Sequence, residues 1–334
     1  MFLLAAKSSP ASLRISPLLR VINFMALLQA GLSRGALGFS FAGKPRCRGF
    51  KLAIALHSST SSDDQITLSD DVALYRAEGI FSVVKPLEWT SSDVVSYIRG
   101  LLEGDTRRRG GTTTKVTSRK NKSRIIRAGH GGTLDPLATG VLVVGIGKGT
   151  KELQSYLSGS KKYFARGEFG FETTTLDMSP SGNVTKRMPT DHITVDAVQK
   201  CLPLFTGDIQ QIPPIFSAIK KNGKKLYEAG REGKTAEDLE IESRKVTVYK
   251  LELVDATLPS FDINIECGGG TYIRSLIRDI GYKLDSVATM THLTRTQQAQ
   301  FSLEDALTKD DWTADNIYAA INRVNEQRRV ESTD

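Results

Sequence analysis

The densest group of residues that could do chemistry lies between Gly129 and Gly140, where four glycines surround the carboxylate of Asp135. Glycines permit tight turns and let a ligand approach the backbone closely. No other acidic residue occurs within 15 positions on either side of Asp135, and Pro136 favours an extended conformation for it. These residues leave two interpretations open: Asp135 acts on a ligand from a loop tip, or it only forms a turn before the proline.

Other chemistries of the same region are excluded by residue spacing. The glycines of the segment Gly145–Gly149 are one residue short of a dinucleotide-binding loop, and Lys148 lacks the flanking residues of a phosphate-binding loop. The chain has three cysteines, none in a CxxC pair, and four widely separated histidines. A zinc site, such as that of a base deaminase, therefore lacks its ligands. We expect neither a metal nor a cofactor.

A second candidate group follows three consecutive glycines, residues 268–270. Thr271 is predicted to cap a helix, which places Arg274 in the first turn of that helix. A cation there opposes the helix macrodipole, at a cost of about 0.3–1 kcal/mol. An anion beside Arg274, either Asp135 or an RNA phosphate, would offset this cost. The alternative is an exposed Arg274 that points into water.

Both groups belong to an ordered series of motifs that resembles the motifs of TruB-type tRNA pseudouridine synthases. The resemblance runs from about Gly79 to Phe301. The matching segments are Gly79–Pro86 with Thr90–Ser92, Gly129–Leu142, Gly147–Lys151, Lys161–Tyr163, Gln211–Lys220 with Gly223–Tyr227, Gly270–Leu276 and His292–Arg295.

The resemblance implies isomerisation of uridine to pseudouridine in RNA, usually at the T-loop uridine of tRNA, by a monomer that needs no cofactor. It implies that Asp135 is the catalytic carboxylate, that Arg274 keeps it ionised and oriented, and that Tyr163 stacks on the flipped uracil and helps to remove the C5 proton. A non-catalytic RNA-binding protein is the alternative, and the intact trio argues against it. Further residues implied to contact substrate or RNA are Lys85 (or else a support for Tyr163 or the active-site loop), His130, Tyr272 and Leu293.

Two basic segments could contact RNA. Residues 207–245 resemble the RNA-gripping insertion of the family, and their cations suit a phosphate backbone, although a solvated face is the alternative. Those cations are Lys220, Lys221, Lys224, Lys225 and Arg231. Residues 103–124 carry eight Lys and Arg, depart from the family's short connection and are predicted to be a mobile loop. They form either an added RNA-contacting arm or an unrelated insertion.

The elements that position these residues predict an α+β fold, a mixed and largely antiparallel sheet flanked by helices, because strands follow one another without regular crossover helices. The catalytic domain is predicted to span residues 79–305, with a short helical tail at 306–334. The predicted strands are Ile80–Val84, Val141–Ile146, Tyr163–Phe171, Val246–Val254 and Phe261–Cys267, and the predicted helices cover Val94–Leu102, Val195–Phe205 and Tyr272–Leu284.

The net charge of +8 comes from the N-terminal segment. Residues 1–62 contain eight Lys and Arg and no Asp or Glu, while the rest of the chain is formally neutral. RNA affinity must therefore come from local patches. We interpret residues 1–62 as a transit peptide for a plastid or mitochondrion, with a disordered tail as the alternative, and residues 63–78 as a linker. No apolar run is long enough to predict a membrane span.

Overall fold

The computed structural model describes residues 78–109, 126–221, 223–236 and 238–331. The predicted leader (1–62), nearly all of the linker (63–78) and most of the basic stretch 103–124 lie outside these residues. The strands are β1 (Gly79–Lys85), β2 (Ala128–His130), β3 (Ala138–Ile146), β4 (Lys161–Phe169), β5 (Phe171–Thr173), β6 (Val184–Arg187), β7 (Gly207–Gln211), β8 (Lys220–Lys221), β9 (Lys224–Lys225), β10 (Arg244–Thr257), β11 (Ser260–Cys267), β12 (Ala288–Gln298) and β13 (Phe301–Ser302).

Six α-helices and three short 3-10 helices complete the described part of the chain. The α-helices are α1 (Ser91–Arg108), α2 (Leu153–Ser158), α3 (Val195–Cys201), α4 (Leu226–Arg231), α5 (Ile273–Lys283) and α6 (Ala314–Glu331). The 3-10 helices are Gly147–Lys151, Leu202–Phe205 and Lys309–Asp311. Among the described helices, none combines the length and apolar character needed to cross a membrane.

A single nine-stranded sheet forms the centre of the fold, with the main strand order β1-β3-β12-β4-β11-β10-β7. All neighbours in this order pair antiparallel except β3 and β12, which run parallel through Leu293–Ala138 and Arg295–Gly140. The predicted mixed, largely antiparallel sheet is therefore confirmed. The parallel pair matters because it brings the strand after the Asp135 segment beside the strand that carries Leu293.

Helices pack against this sheet in separate core clusters. Helix α5 packs Ile273, Leu276, Ile277 and Ile280 into the core cluster that contains Tyr163 and Leu293. A second cluster joins β1 and β3 to helices α1 and α6. The predicted C-terminal helix is thus present, and it completes a core instead of standing apart from the sheet.

The structure corrects three local predictions. Helix α1 runs six residues into the predicted loop 103–124, because Glu103–Arg107 and Asp105–Arg109 pair one turn apart. The predicted helix Val195–Phe205 is an α-helix only as far as Cys201 and continues as the 3-10 helix Leu202–Phe205. The predicted strand Tyr163–Phe171 is broken at Gly170, whose φ of +102° turns the chain into a separate hairpin, β5–β6.

Candidate active site

The segment Gly131–Pro136, called here the catalytic bend, is fixed through its backbone carbonyls. Gln298 Nε2 donates to the Gly131 carbonyl, and Arg295 Nη2 donates to that of Gly132. The hydroxyl of Ser91 contacts both the N–H and the carbonyl of Leu134. The Asp135 carbonyl accepts the N–H of Ala138 at 3.0 Å in a tight turn. Asp135 therefore sits on a backbone whose conformation is set by strand β12 and helix α1.

Glycine is required at two positions, one within the bend and one shortly after it. Gly132 has φ of +151°, and a Cβ there would lie 3.2 Å from the Gln298 amide nitrogen. Gly140 has φ of +104°, and a Cβ there would collide with the backbone of Arg295. A side chain at Gly140 would thus push β3 away from β12. At Gly140, the close approach that the glycines allow is therefore that of strand β3 to strand β12.

Asp135 forms an ion pair with Arg274, whose Nε lies 2.9 Å from the Asp135 Oδ2. The Arg274 side chain is 5% exposed and that of Asp135 is 33% exposed, so the carboxylate faces solvent while its cation is buried. Arg274 stands in the first turn of α5, as predicted. Thr271 does not cap this helix, because the cap position is Tyr272 and the Thr271 hydroxyl instead donates to the Gly268 carbonyl.

The same guanidinium reaches three further groups. Nη1 donates to the Thr175 carbonyl at 2.9 Å, and Nη2 donates to the Phe216 carbonyl at 2.9 Å. The buried carboxylate of Asp177 lies 3.8 Å from Nη1. Arg274 therefore ties the Asp135 carboxylate to the β5–β6 hairpin and to the basic insertion. A fork of several donors of this kind favours arginine over lysine.

Tyr163 lies in β4, between β11 and β12, and is opposite Arg295 on β12. It shares a core cluster with Leu134 and Leu293. Burial raises the pKa of Tyr163 to about 12, against the opposing effect of the neighbouring Arg295 guanidinium. The structure thus brings Tyr163 and Leu293 together with the residue preceding Asp135.

Lys85 supports the catalytic bend and is not placed to contact RNA. Its side chain is fully buried, and its ammonium donates to the carbonyls of Pro86, Trp89 and Pro136. Burial lowers the pKa of Lys85 to about 8. Of the two predicted roles, the structure supports a brace for the active-site loop and corrects direct substrate binding.

His130 and Tyr272 lie at the two sides of the bend. His130 ends β2, directly before the bend, and burial is the main cause of its lowered pKa. Tyr272 begins α5, and its backbone N–H and carbonyl are both bonded to the buried side chain of Gln211. Gln211 ends strand β7, so this clamp fixes the start of the insertion against the helix of Arg274.

The predicted basic patch forms a hairpin. Lys220 pairs with Lys225 across β8 and β9, and Lys220 and Lys224 are exposed. The Lys225 ammonium lies 5.3 Å from the ring centre of Tyr227. Lys221 is used differently, because its ammonium donates to the carbonyls of Leu239 and Glu240. The exposed lysines are therefore free to meet a phosphate backbone, whereas Lys221 holds the insertion together.

Sequence reasoning missed the residues that hold the bend in place. Arg295 and Gln298 are fully buried, and Ser91 and Arg295 were named only as members of the motif segments Thr90–Ser92 and His292–Arg295. Asp177, also buried, was not singled out. One signal was available: in the strand that carries Leu293, Arg295 is a long charged residue between two threonines. Only the structure shows that the side chains of Arg295 and Gln298 point towards the bend.

Comparisons with known proteins match this chain to one family. The model of the TruB family pseudouridylate synthase (N terminal domain) matches residues 119–273. Pseudouridylate synthase TRUB1 of Homo sapiens is 40% identical over 312 residues, which cover 93% of this chain and 85% of the human protein. The tRNA pseudouridine synthase B of Phocaeicola vulgatus is 39% identical over 228 residues, or 68% of this chain and 88% of the bacterial protein.

A solved structure shares the fold. A chain of a Cbf5-Nop10-Gar1 complex superposes with a TM-score of 0.51 at 26% sequence identity. The superposition covers 72% of this chain and 55% of the other. The present chain therefore spans little more than half of that protein's length.

Proposed function

This chain belongs to the TruB family of pseudouridylate synthases, and from that premise we propose that it isomerises a uridine of tRNA to pseudouridine. The observation that carries the proposal is the partly exposed carboxylate of Asp135, held on a rigid bend and paired at 2.9 Å with the buried Arg274. The guanidinium of Arg274 pairs with the carboxylate and fixes its orientation. Asp135 is thus presented as a carboxylate ready to meet substrate.

The reaction rearranges bonds without changing the composition of the nucleotide. The bond between N1 and C1′ breaks, the uracil turns, and C5 becomes bonded to C1′. C5 then loses its proton and N1 gains one. A carboxylate can serve this sequence as a nucleophile or as the stabiliser of a cationic sugar. Asp135 supplies that group, and Arg274 holds it in position.

The target uridine must leave the RNA stack to reach Asp135, at a cost of a few kcal/mol. Two surface cavities of about 360 and 510 Å³ lie elsewhere, beside helices α1 and α6, and Asp135 lines neither. We propose that the base enters from the side on which Asp135 is exposed, towards Tyr163 and Leu293. Stacking on an aromatic ring and apolar contact with Leu293 offset part of the cost of flipping.

We propose the T-loop uridine of tRNA as the target and a monomer as the active form. The exposed Lys220 and Lys224 lie on the insertion that Arg274 bonds through Phe216. An RNA phosphate backbone bound there would place its neighbouring loop close to Asp135. The arrangement requires residues of one chain only.

We also propose that residues 1–62 direct the protein to a plastid or mitochondrion. The proposal is supported by the absence of acidic residues from that segment and its eight cations. Fusion of residues 1–62 to a fluorescent protein should deliver the fusion to an organelle. A fusion that stays diffuse in the cytosol would contradict it.

The activity is tested with an unmodified tRNA transcript. The protein should convert one T-loop uridine to pseudouridine, detected by chemical labelling of the modified base. A transcript with cytidine at that position is the matched control and should remain unmodified throughout. Pseudouridine at another tRNA uridine would overturn the T-loop assignment, and binding of the transcript without any pseudouridine would favour a non-catalytic RNA-binding protein.

A further inference from the structure

Arg295 is one of the largest fully buried side chains in the described part of the chain. No Asp or Glu of that part pairs with its guanidinium. Burying a cation without a carboxylate is costly, and well-packed apolar residues are often more stable in such positions. Apolar packing alone therefore does not explain an arginine here.

The Arg295 guanidinium connects strand β3 to the catalytic bend. Its Nε donates to the Val141 carbonyl at 2.6 Å, and its Nη2 donates to the Gly132 carbonyl in the catalytic bend. Nη1 is buried and has no hydrogen-bond acceptor in satisfactory geometry among the described residues. Across the sheet, Arg295 is the partner of Tyr163. One side chain therefore contacts the bend and stands beside the aromatic residue of the site.

Arg295 is also the cation that acts on Tyr163. The other ionisable groups close enough to matter are Cys267 and Asp135, and both disfavour a phenolate. Lys161 is buried nearby, but its ammonium is engaged by the carbonyls of Leu157 and Gly159. Any negative charge that develops on the Tyr163 oxygen is therefore stabilised by Arg295.

We propose that Arg295 is a positioning residue for Tyr163, which fixes the phenol beside the catalytic bend and offsets the charge that develops when Tyr163 accepts the C5 proton. This inference rests on the proposed function. After C5 is bonded to C1′, it still carries its original hydrogen. The Tyr163 hydroxyl passes its own proton to water and takes the C5 proton, the C–H electron pair returns to the ring, and N1 gains a proton from water.

The test is the rate of pseudouridine formation on transcripts made with uridine or with 5-deuterouridine, measured in single turnovers. Arg295→Met should slow the reaction by roughly 10²-fold, the low end of the effect of a general base, and should raise the C5-deuterium isotope effect above that of the wild-type protein. Tyr163→Phe should show the same raised isotope effect. Because both changes affect one step, the double variant should be no slower than the slower single variant.

Two further variants separate this role from simple support of the bend. Gln298→Met removes the side chain that holds Gly131 but leaves the charge beside Tyr163, so it should lower the rate without raising the isotope effect. Arg295→Lys keeps the charge but not the fork of donors, so its isotope effect should be intermediate; it decides the question if Arg295→Met does not fold.

An isotope effect in Arg295→Met and Arg295→Lys that equals the wild-type value, or rate reductions that multiply with Tyr163→Phe, would overturn the inference. The wild-type rate in the same assay tests the proposed function separately. If the wild-type protein forms no pseudouridine, the proposed function fails; if it does and only the isotope pattern is missing, the role of Arg295 alone fails.

Discussion

Arg274 Nε lies 2.9 Å from Asp135 Oδ2, which joins the first turn of α5 to a bend far from it in sequence. The buried guanidinium also holds the carbonyls of Thr175 and Phe216. Three segments, the bend, the β5–β6 hairpin and the basic insertion, therefore meet at one side chain. The orientation of the Asp135 carboxylate therefore depends on the contacts of Arg274.

Arg274→Lys should lower the rate of pseudouridine formation by roughly 10²-fold. Asp135 and the two carbonyls are bonded by three different nitrogens of the planar guanidinium, and one ammonium nitrogen cannot occupy all three positions. A small misplacement of a catalytic group is enough for such a reduction. Binding of tRNA should change much less. Single-turnover rates and binding isotherms measure the two effects. Arg278→Lys, the same exchange one turn further along α5, is the matched control; a normal rate in Arg274→Lys would show that charge alone suffices.

Replacement of Lys220 and Lys224 by alanine should weaken tRNA binding and raise KM while kcat stays the same, since these exposed lysines bind phosphates and not the reacting base. For every phosphate that a lysine no longer neutralises, the slope of log affinity against log salt should fall by about one. Binding measured over a range of salt concentrations checks this. Lys250→Ala, an exposed lysine paired with Glu252 at 2.8 Å, should leave the slope unchanged. An unchanged slope in the double variant would identify the patch as a solvated face.

Lys161 should make stability depend on pH. Burial lowers its pKa from 10.5 to about 8, so between these pH values the unfolded chain binds more protons than the folded chain and unfolding becomes harder as pH rises. Below pH 8 the cost of the buried charge is fully present. Lys161→Met removes this contribution.

Measured by urea unfolding, the stability of Lys161→Met relative to the wild-type protein should therefore fall between pH 8 and 10.5, by about 1–3 kcal/mol. The comparison with wild type cancels the opposite contribution of Tyr163, whose pKa burial raises. A stability difference that does not vary with pH would contradict a buried, easily neutralised Lys161.

Much of the fold follows from local patterns in the sequence. Alternating apolar residues predict β10 and β11. Thr90 is a residue type that caps helices, and the apolar residues that follow it at helical spacing predict α1. The pairing of Arg274 with an anion was predictable because a cation in the first turn of a helix is unfavourable without one. The mixed sheet followed from the succession of strands. These features depend on residues close together in the chain.

The support of the bend could not be predicted in the same way. Arg295 and Gln298 act on Gly131 and Gly132 only because β12 runs parallel to β3 in one particular register, and register between distant strands depends on long-range packing. Nothing in the sequence near Lys85 predicts that it is buried. Only the structure shows the backbone carbonyls around its ammonium. Thr271 is a residue type that commonly caps helices, but its hydroxyl donates to the Gly268 carbonyl instead.

Asp135→Asn keeps the size of the side chain and removes its charge, and the decisive measurement is pseudouridine formation by this variant on an unmodified tRNA transcript. The variant should fold and bind the transcript but form no detectable pseudouridine, because an amide can neither attack nor stabilise a cationic sugar. Pseudouridine formation at the wild-type rate would contradict the assignment of Asp135 as the catalytic carboxylate.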